Sequence, residues 1–434
     1  MNASTSKPQR DMPSGMSDAK DSLDDRRLEL LIDIIKNLGF AFDNFPDYRT
    51  IRYEAVTRLV REGGYNKLVD LTCVYDTVTH EFTDTRPKIK SNTTLTDEQA
   101  KHFAKKANDY LKGVPYKYQV LLRIPSQLNL SSQISKQIKI ITIDDASYDK
   151  YRQANGINDN SESENGKGLA GLSASLRALS GDALKIPSHN NSYLALNIAG
   201  NAQGQNLTVF EADPIYIFKV LFALSYATGN LEKRTKSLGD IYGAPNFFGV
   251  GVYDRNLKLV TEIARPLDEA KLVSAYTLKK DRESIDNLIA IFKALVIEQG
   301  DKSVEKLRLQ IINSLFWYFE MLKTENYNLK TVFSTSVFDS FFATGQPKEY
   351  KALVISHDTT KSIQQEELIR EHIVELYDER NKIIHSEIAL FDYRVDGKER
   401  TDIARARVDI AIPQTYNYFL TSCIHRFFKS LPNS

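Results

Sequence analysis

An arginine, an asparagine and a histidine stand close together in "ELYDERNKIIHSEIAL", residues 375–390. Arg380, Asn381 and His385 are types that together can handle a phosphodiester. A guanidinium stays charged, and its fork matches phosphate oxygens. An imidazole with a pKa near ~6.5 can take or give a proton at neutral pH. An asparagine can orient that imidazole or donate to a phosphate oxygen. In RNA the 2′-OH is the nucleophile, so this chemistry needs a proton carrier and a cation for the phosphorane oxygens, but no metal. Its products are a 2′,3′-cyclic phosphate (or 3′-phosphate) and a 5′-hydroxyl. The assigned roles are proton transfer for His385, transition-state charge for Arg380 and positioning for Asn381.

The stretch has helical spacing. At about 100° per residue, with Ile373 at zero, Tyr377 falls near about +40°, Ile384 near about +20°, and Leu376 and Ile383 near about −60° to −80°. Arg380 falls near about −20°, inside this apolar stripe, while Asn381 and His385 lie on one flank, a turn apart. An unpaired buried guanidinium is very costly. Three arrangements avoid that cost. Arg380 can pair with a buried acid, Glu320 or Asp378. Its stem can pack while its head reaches solvent. Or the stripe can face a second copy across a cleft, where the three polar residues meet a phosphate.

The surrounding elements read as helices from about residue 268 onward. "DRESIDNLIAIFKALVIEQG" (281–300) opens on acids, closes on Gly300 and aligns Ile285, Leu288, Ile289, Phe292, Leu295 and Val296 on one face. Further helices are expected over 303–323, 364–390 and 403–430, the last starting afresh near Pro413. Four helices with facing stripes make a bundle.

"RNKIIH" within this bundle resembles the Arg-x4-to-6-His signature of the HEPN ribonuclease superfamily, in which Asn or another polar residue often follows the arginine. "LFWYFEML" and "LYDERNKIIHSE" are similar to the ApeA-like branch of bacterial anti-phage proteins. The resemblance covers residues 268–434. It implies a metal-independent endoribonuclease acting on RNA, tRNA included, with a composite active site at a homodimer interface. It further implies an abortive-infection or toxin effector restrained until its N-terminal region meets a phage-derived trigger. Glu320 would support the site as the buried partner that sets Arg380. A different class fits the same shape: a non-catalytic module that binds RNA or nucleotide, or pairs with an antitoxin.

The N-terminal part has another character. Helices are expected over 24–62 and 96–113, the latter with Thr96 as N-cap and Gly113 at its end. "YKYQVLLRIP", "KQIKIITIDD", "SYLALNIAG" and "NFFGVGVYDRNLKLVTEIARP" read as strands, the last as a hairpin turning at Asp254–Asn256. The chain is thus expected to be α+β: a disordered tail over 1–25, a mixed α/β sensor or regulatory domain over 26–265 and an all-α bundle over 268–434.

Across 434 residues, 57 Lys and Arg balance 56 Asp and Glu, so any anion site must be local. Cys73 and Cys423 suggest neither a disulfide framework nor a metal site, and a reducing cytoplasm is the expected home. The tail "MNASTSKPQRDMPSGMSDAKDSLDD" lacks the apolar core of a leader. The most apolar run, "IYIFKVLFALSYAT" (215–228), is too short to span a bilayer and carries Lys219, so a buried helix and no membrane partner are expected. "GKGLAG" (166–171) fits a dinucleotide fingerprint but follows a polar loop rather than a strand. No cofactor and no metal ligand set are expected. Two basic features, residues 101–119 and "LEKRTKS" (231–237), combine charge with aromatic neighbours in a way that suits single strands. They read more simply as solvated faces.

Overall fold

In the computed structural model, the described residues are 15–37, 39–42, 45–47, 53–69, 73–74, 77–78, 95–126, 128–157, 187, 189–202, 208–210, 212–234, 250–263, 266–341, 363–384 and 412–431. His385, the "GKGLAG" stretch and residues 235–237 lie outside them. In chain order the elements are α1 (Gly15–Lys36), β1 (Gly39–Phe42), β2 (Phe45–Asp47), α2 (Tyr53–Glu62), α3 (Asp97–Gly113), β3 (Tyr116–Arg123), β4 (Ser132–Gln133), β5 (Ile138–Thr142), α4 (Asp145–Ala154), β6 (Ser192–Ala202) and β7 (Thr208–Phe210). There follow α5 (Pro214–Ala227), β8 (Leu231–Lys233), β9 (Val250–Tyr253), β10 (Leu259–Ile263), α6 (Leu267–Ser274), β11 (Tyr276–Leu278), α7 (Arg282–Val296), α8 (Lys302–Lys323), α9 (Tyr327–Asp339), α10 (Ile363–Ile384) and α11 (Ile412–Ser430). The chain is α+β.

One compact unit comprises Met1–Tyr118 and Ile198–Ala212. Its α3 begins with a capping box: Thr96 Oγ1 accepts from Gln99 N, and Gln99 Oε1 accepts from Thr96 N. Helix α1 begins at Gly15, inside the stretch expected to be a disordered tail, and packs on α3 and α2, burying Leu31, Ile34 and Ile35 with Phe103, Ala104, Ala107 and Leu111. Each burial follows from an apolar face at helical spacing.

The second unit comprises Gln119–Asn197 and Asp213–Ser434. Its sheet is antiparallel, with strand order β10-β9-β3-β6-β5-β4. The β9–β10 hairpin turns where the residues require it. Asp254 Oδ1 accepts from the backbone of Asn256 and Lys258, and Leu257 takes a left-handed φ of 64°. Helix α4 covers one sheet face, where Tyr151 and Tyr253 meet edge to face.

The division differs from a boundary at 265–268. Helix α5 is buried along most of its length, at Phe218, Val220, Leu221, Phe222, Ala223 and Leu224. A helix apolar all round must be enclosed by others, and α5 packs against α7, α8 and α11. That brings residues 213–230 into the same unit as the C-terminal helices. The stretch after 268 is also not wholly helical: β11 pairs antiparallel with β8, Leu278 opposite Leu231.

Helix α8 runs through the bundle in contact with α5, α7, α9 and α11, and α10 packs on α9 and α11. Asp301 caps α8 by accepting from Ser303 N and Val304 N. Among the described residues the bundle has α9 in addition to the four expected helices. The inward side of α9 carries hydroxyls as well as the hydrocarbon of Val337 and Phe338. Thr331, Ser334 and Thr335 are buried and return their protons to carbonyls of the preceding turn.

Candidate functional site

The site is built where α10 crosses α9. Ile373, Leu376, Tyr377 and Ile383 of α10 are buried, and Arg380 sits in line with them, as the helical spacing predicts. Its side chain is 24% exposed, so the stem packs while the head stays within reach of solvent.

Three neighbours hold the guanidinium. The ring of Tyr377 lies one turn earlier, 4.9 Å from Arg380 Cζ. Asn381 Oδ1 accepts from Nη2 at 3.0 Å and from Nε at 3.3 Å. Nη1 donates to Asp339 Oδ2 at 3.3 Å. Asp339 ends α9, so the arginine cation also lies near the negative end of that helix. The Tyr377 hydroxyl donates to the other oxygen, Asp339 Oδ1. Burial, reinforced by the Asp339 carboxylate, pushes the Tyr377 phenol well above its ordinary pKa. At the other end of α9, Tyr327 Oη donates to Glu379 at 2.7 Å, so α10 side chains tie both ends of α9.

Arg380 and Asn381 are therefore brought together, and directly. With Asn381 Oδ1 turned to the guanidinium, its amide NH2 remains available as a donor. Arg380 has five N–H donors. Those not given to Asn381 or Asp339 meet no acceptor among the described residues. His385 follows the described part of α10 directly but lies outside the described residues.

Glu320 does not set Arg380. Its carboxylate accepts from Lys219 at 2.7 Å and pairs with Lys323. Burial pushes its pKa up, but the hydrogen bonds from the two lysines, with their charges, bring it below the ordinary value. Lys219 also stands 3.5 Å from Glu269 and over the rings of Phe316 and Phe319. The acid that Arg380 needs is Asp339, and Asp378 is exposed. Reasoning from the sequence missed Asp339 because it missed α9. Tyr377 was visible only as one more apolar position.

The basic stretch at 101–119 buries Phe103, Ala104, Ala107, Leu111 and Tyr118 and turns its charged residues outward. Lys101, His102, Lys105, Asp109 and Lys112 of α3 are exposed with mixed charge, and Lys112 pairs with Asp24. Among the described residues no three His, Cys, Asp or Glu side chains form a metal-ligand group, and no helix is long and apolar enough to cross a membrane.

No protein-family model matches the chain, and no curated protein or solved structure matches it either.

Proposed function

We propose that this chain is a metal-independent endoribonuclease whose C-terminal helices form a HEPN-like bundle. One observation carries the reading: Arg380 lies on the apolar stripe of α10, yet its guanidinium plane is held by Tyr377 and Asn381, with donors that no acceptor among the described residues takes and with solvent in reach. A cation fixed in this way costs little reorganisation when phosphate charge develops. In the proposed reaction His385 takes the proton of a ribose 2′-OH, and the 2′-oxygen attacks the adjacent phosphorus. The P–O5′ bond breaks, and the 5′-oxygen receives a proton. Arg380 stabilises the charge on the equatorial oxygens, and Asn381 positions the guanidinium. A second copy of the chain would complete the cleft. The cellular role that goes with this reading is a cytoplasmic anti-phage abortive-infection or toxin effector, with the N-terminal unit sensing the trigger.

The test is incubation of the purified chain with total tRNA in EDTA, beside His385→Ala and Arg380→Ala. Cleavage that resists EDTA, leaves 2′,3′-cyclic phosphate ends and disappears in both variants is the expected result. Growth arrest on expression of the wild type but neither variant would reveal an activity that is restrained in the test tube. RNA binding without cleavage or toxicity in any version would sink the nuclease reading.

The second reading, a non-catalytic module that binds RNA or nucleotide or pairs with an antitoxin, is favoured by the Arg380–Asp339 pair. That contact gives Arg380 a role within a single chain.

A further inference from the structure

The Arg380 site carries an anion of its own. Asp339 Oδ2 stands 3.3 Å from Nη1, where a phosphate oxygen would have to be to accept from that donor. What this carboxylate does can be decided from its surroundings. It is not what fixes the guanidinium plane, because Tyr377 and Asn381 do so from the ring face and from the Nε edge. The contact is also a single long one rather than a two-bond fork, between side chains 24% and 34% exposed. Pairs of this kind are weak and open to exchange. Finally, Asp339 places a negative charge at the negative end of α9, and the Tyr377 hydroxyl anchors it there independently of Arg380.

We infer that Asp339 sets the phosphate affinity of the Arg380 site: its carboxylate occupies a guanidinium donor at rest, and an incoming phosphodiester gains that donor only by exchange. This rests on reading Arg380 as a phosphate-binding group. Losing Asp339 removes a competing anion and leaves the guanidinium aligned. The Asp339→Asn substitution should therefore tighten binding rather than weaken it. A residue that merely positioned Arg380 would act in the opposite direction. Asp378 provides the control, since it is exposed on the same helix and does not pair with Arg380.

The experiment is fluorescence anisotropy of a labelled single-stranded oligoribonucleotide with the full chain, in EDTA at fixed salt, with cleavage of the same oligonucleotide followed on gels. Asp339→Asn is expected to bind about 3-fold tighter than wild type, the size of a weak exposed ion pair. Asp378→Asn should change affinity less. Adding Arg380→Ala to Asp339→Asn should abolish the gain. Equal or weaker binding by Asp339→Asn overturns the inference, as does no measurable binding by either protein. So does a gain that survives Arg380→Ala or is matched by Asp378→Asn. Tighter binding by Asp339→Asn with no cleavage by any version leaves the exchange standing and removes the nuclease. Cleavage that depends on Arg380 and His385, with Asp339→Asn no tighter, does the reverse.

Discussion

Two charge clusters in the same bundle are built on opposite plans. In the first, Lys219 reaches from α5 to Glu320 of α8 and Glu269 of α6, and Lys323 takes the other oxygen of Glu320. Two cations face two carboxylates, and the side chains of Lys219 and Glu320 are 14% and 11% exposed. In the second, Arg380 meets one carboxylate among the described residues, through one long contact, and both partners are partly exposed. The closed cluster sets cations against carboxylates because a buried charge without a counter-charge is costly. The open cluster holds the plane of its cation and leaves donors that meet no acceptor among the described residues. That contrast is why the first reads as structure and the second as a place for a ligand.

The largest predicted effect lies in the closed cluster. Lys219→Met takes one of its two cations from Glu320 and the neighbouring cation from Glu269, both buried, and should cost about 3 kcal/mol of stability. Arg380→Met should cost about 1 kcal/mol or less, because its pair is half-exposed. Urea unfolding of the two variants, read as midpoint shifts at unchanged slope, measures the difference. Equal costs would erase the distinction between the clusters.

Acid and base should separate a carboxyl held by cations from one shifted by burial. The pKa of Glu320 is lowered in the fold, so its contribution is present above the ordinary carboxylate value and is lost as pH falls through the lowered folded value. Glu262 on β10 behaves in the opposite way. Burial raises its pKa from 4.5 to about 7. Its carboxyl is therefore tolerated in acid and becomes a burden as pH climbs between those values. Glu262→Gln should stabilise the chain by about 1 kcal/mol at pH 8, discounted for its partial exposure, and by nothing at pH 4. Glu320→Gln should destabilise near neutrality and lose that effect in strong acid. Thermal melts across pH would show it, and parallel profiles for the two variants would contradict the assignment.

The smallest effect sharpens the open cluster. Tyr377→Phe removes the hydroxyl that anchors Asp339 but keeps the ring under Arg380. It should cost about 1 kcal/mol. A much larger loss in urea unfolding would show that the Asp339 contact is structural after all.

Legibility in the sequence tracked how local each cause was. The capping box at Thr96, the turn at Asp254 and the buried face of α7 are contained within a few residues, and all three could be read directly. Helix α9 escaped because its inward side mixes Thr331, Ser334 and Thr335 with Val337 and Phe338, and a search for apolar periodicity passes over hydroxyls that bond to their own backbone. The division into units escaped because α5 belongs with helices that come much later in the chain. For the site, the place of Arg380 on the stripe followed from one angle per residue. Its partner lies 41 positions away on the helix that was missed. Glu320 was the natural candidate only while Lys219 stood unassigned; a lysine in the most apolar run of the chain needs a buried acid, and Glu320 is the one it takes.

The central claim is that the Arg380 guanidinium stabilises the phosphate during cleavage. Its most direct test is the single-turnover rate on one defined RNA in EDTA for wild type, Arg380→Lys and Arg380→Ala. Alanine should slow cleavage by at least about 100-fold, as loss of a preorganised donor does, with lysine intermediate because it keeps the charge but not the fork. Cleavage by Arg380→Ala at the wild-type rate would contradict it.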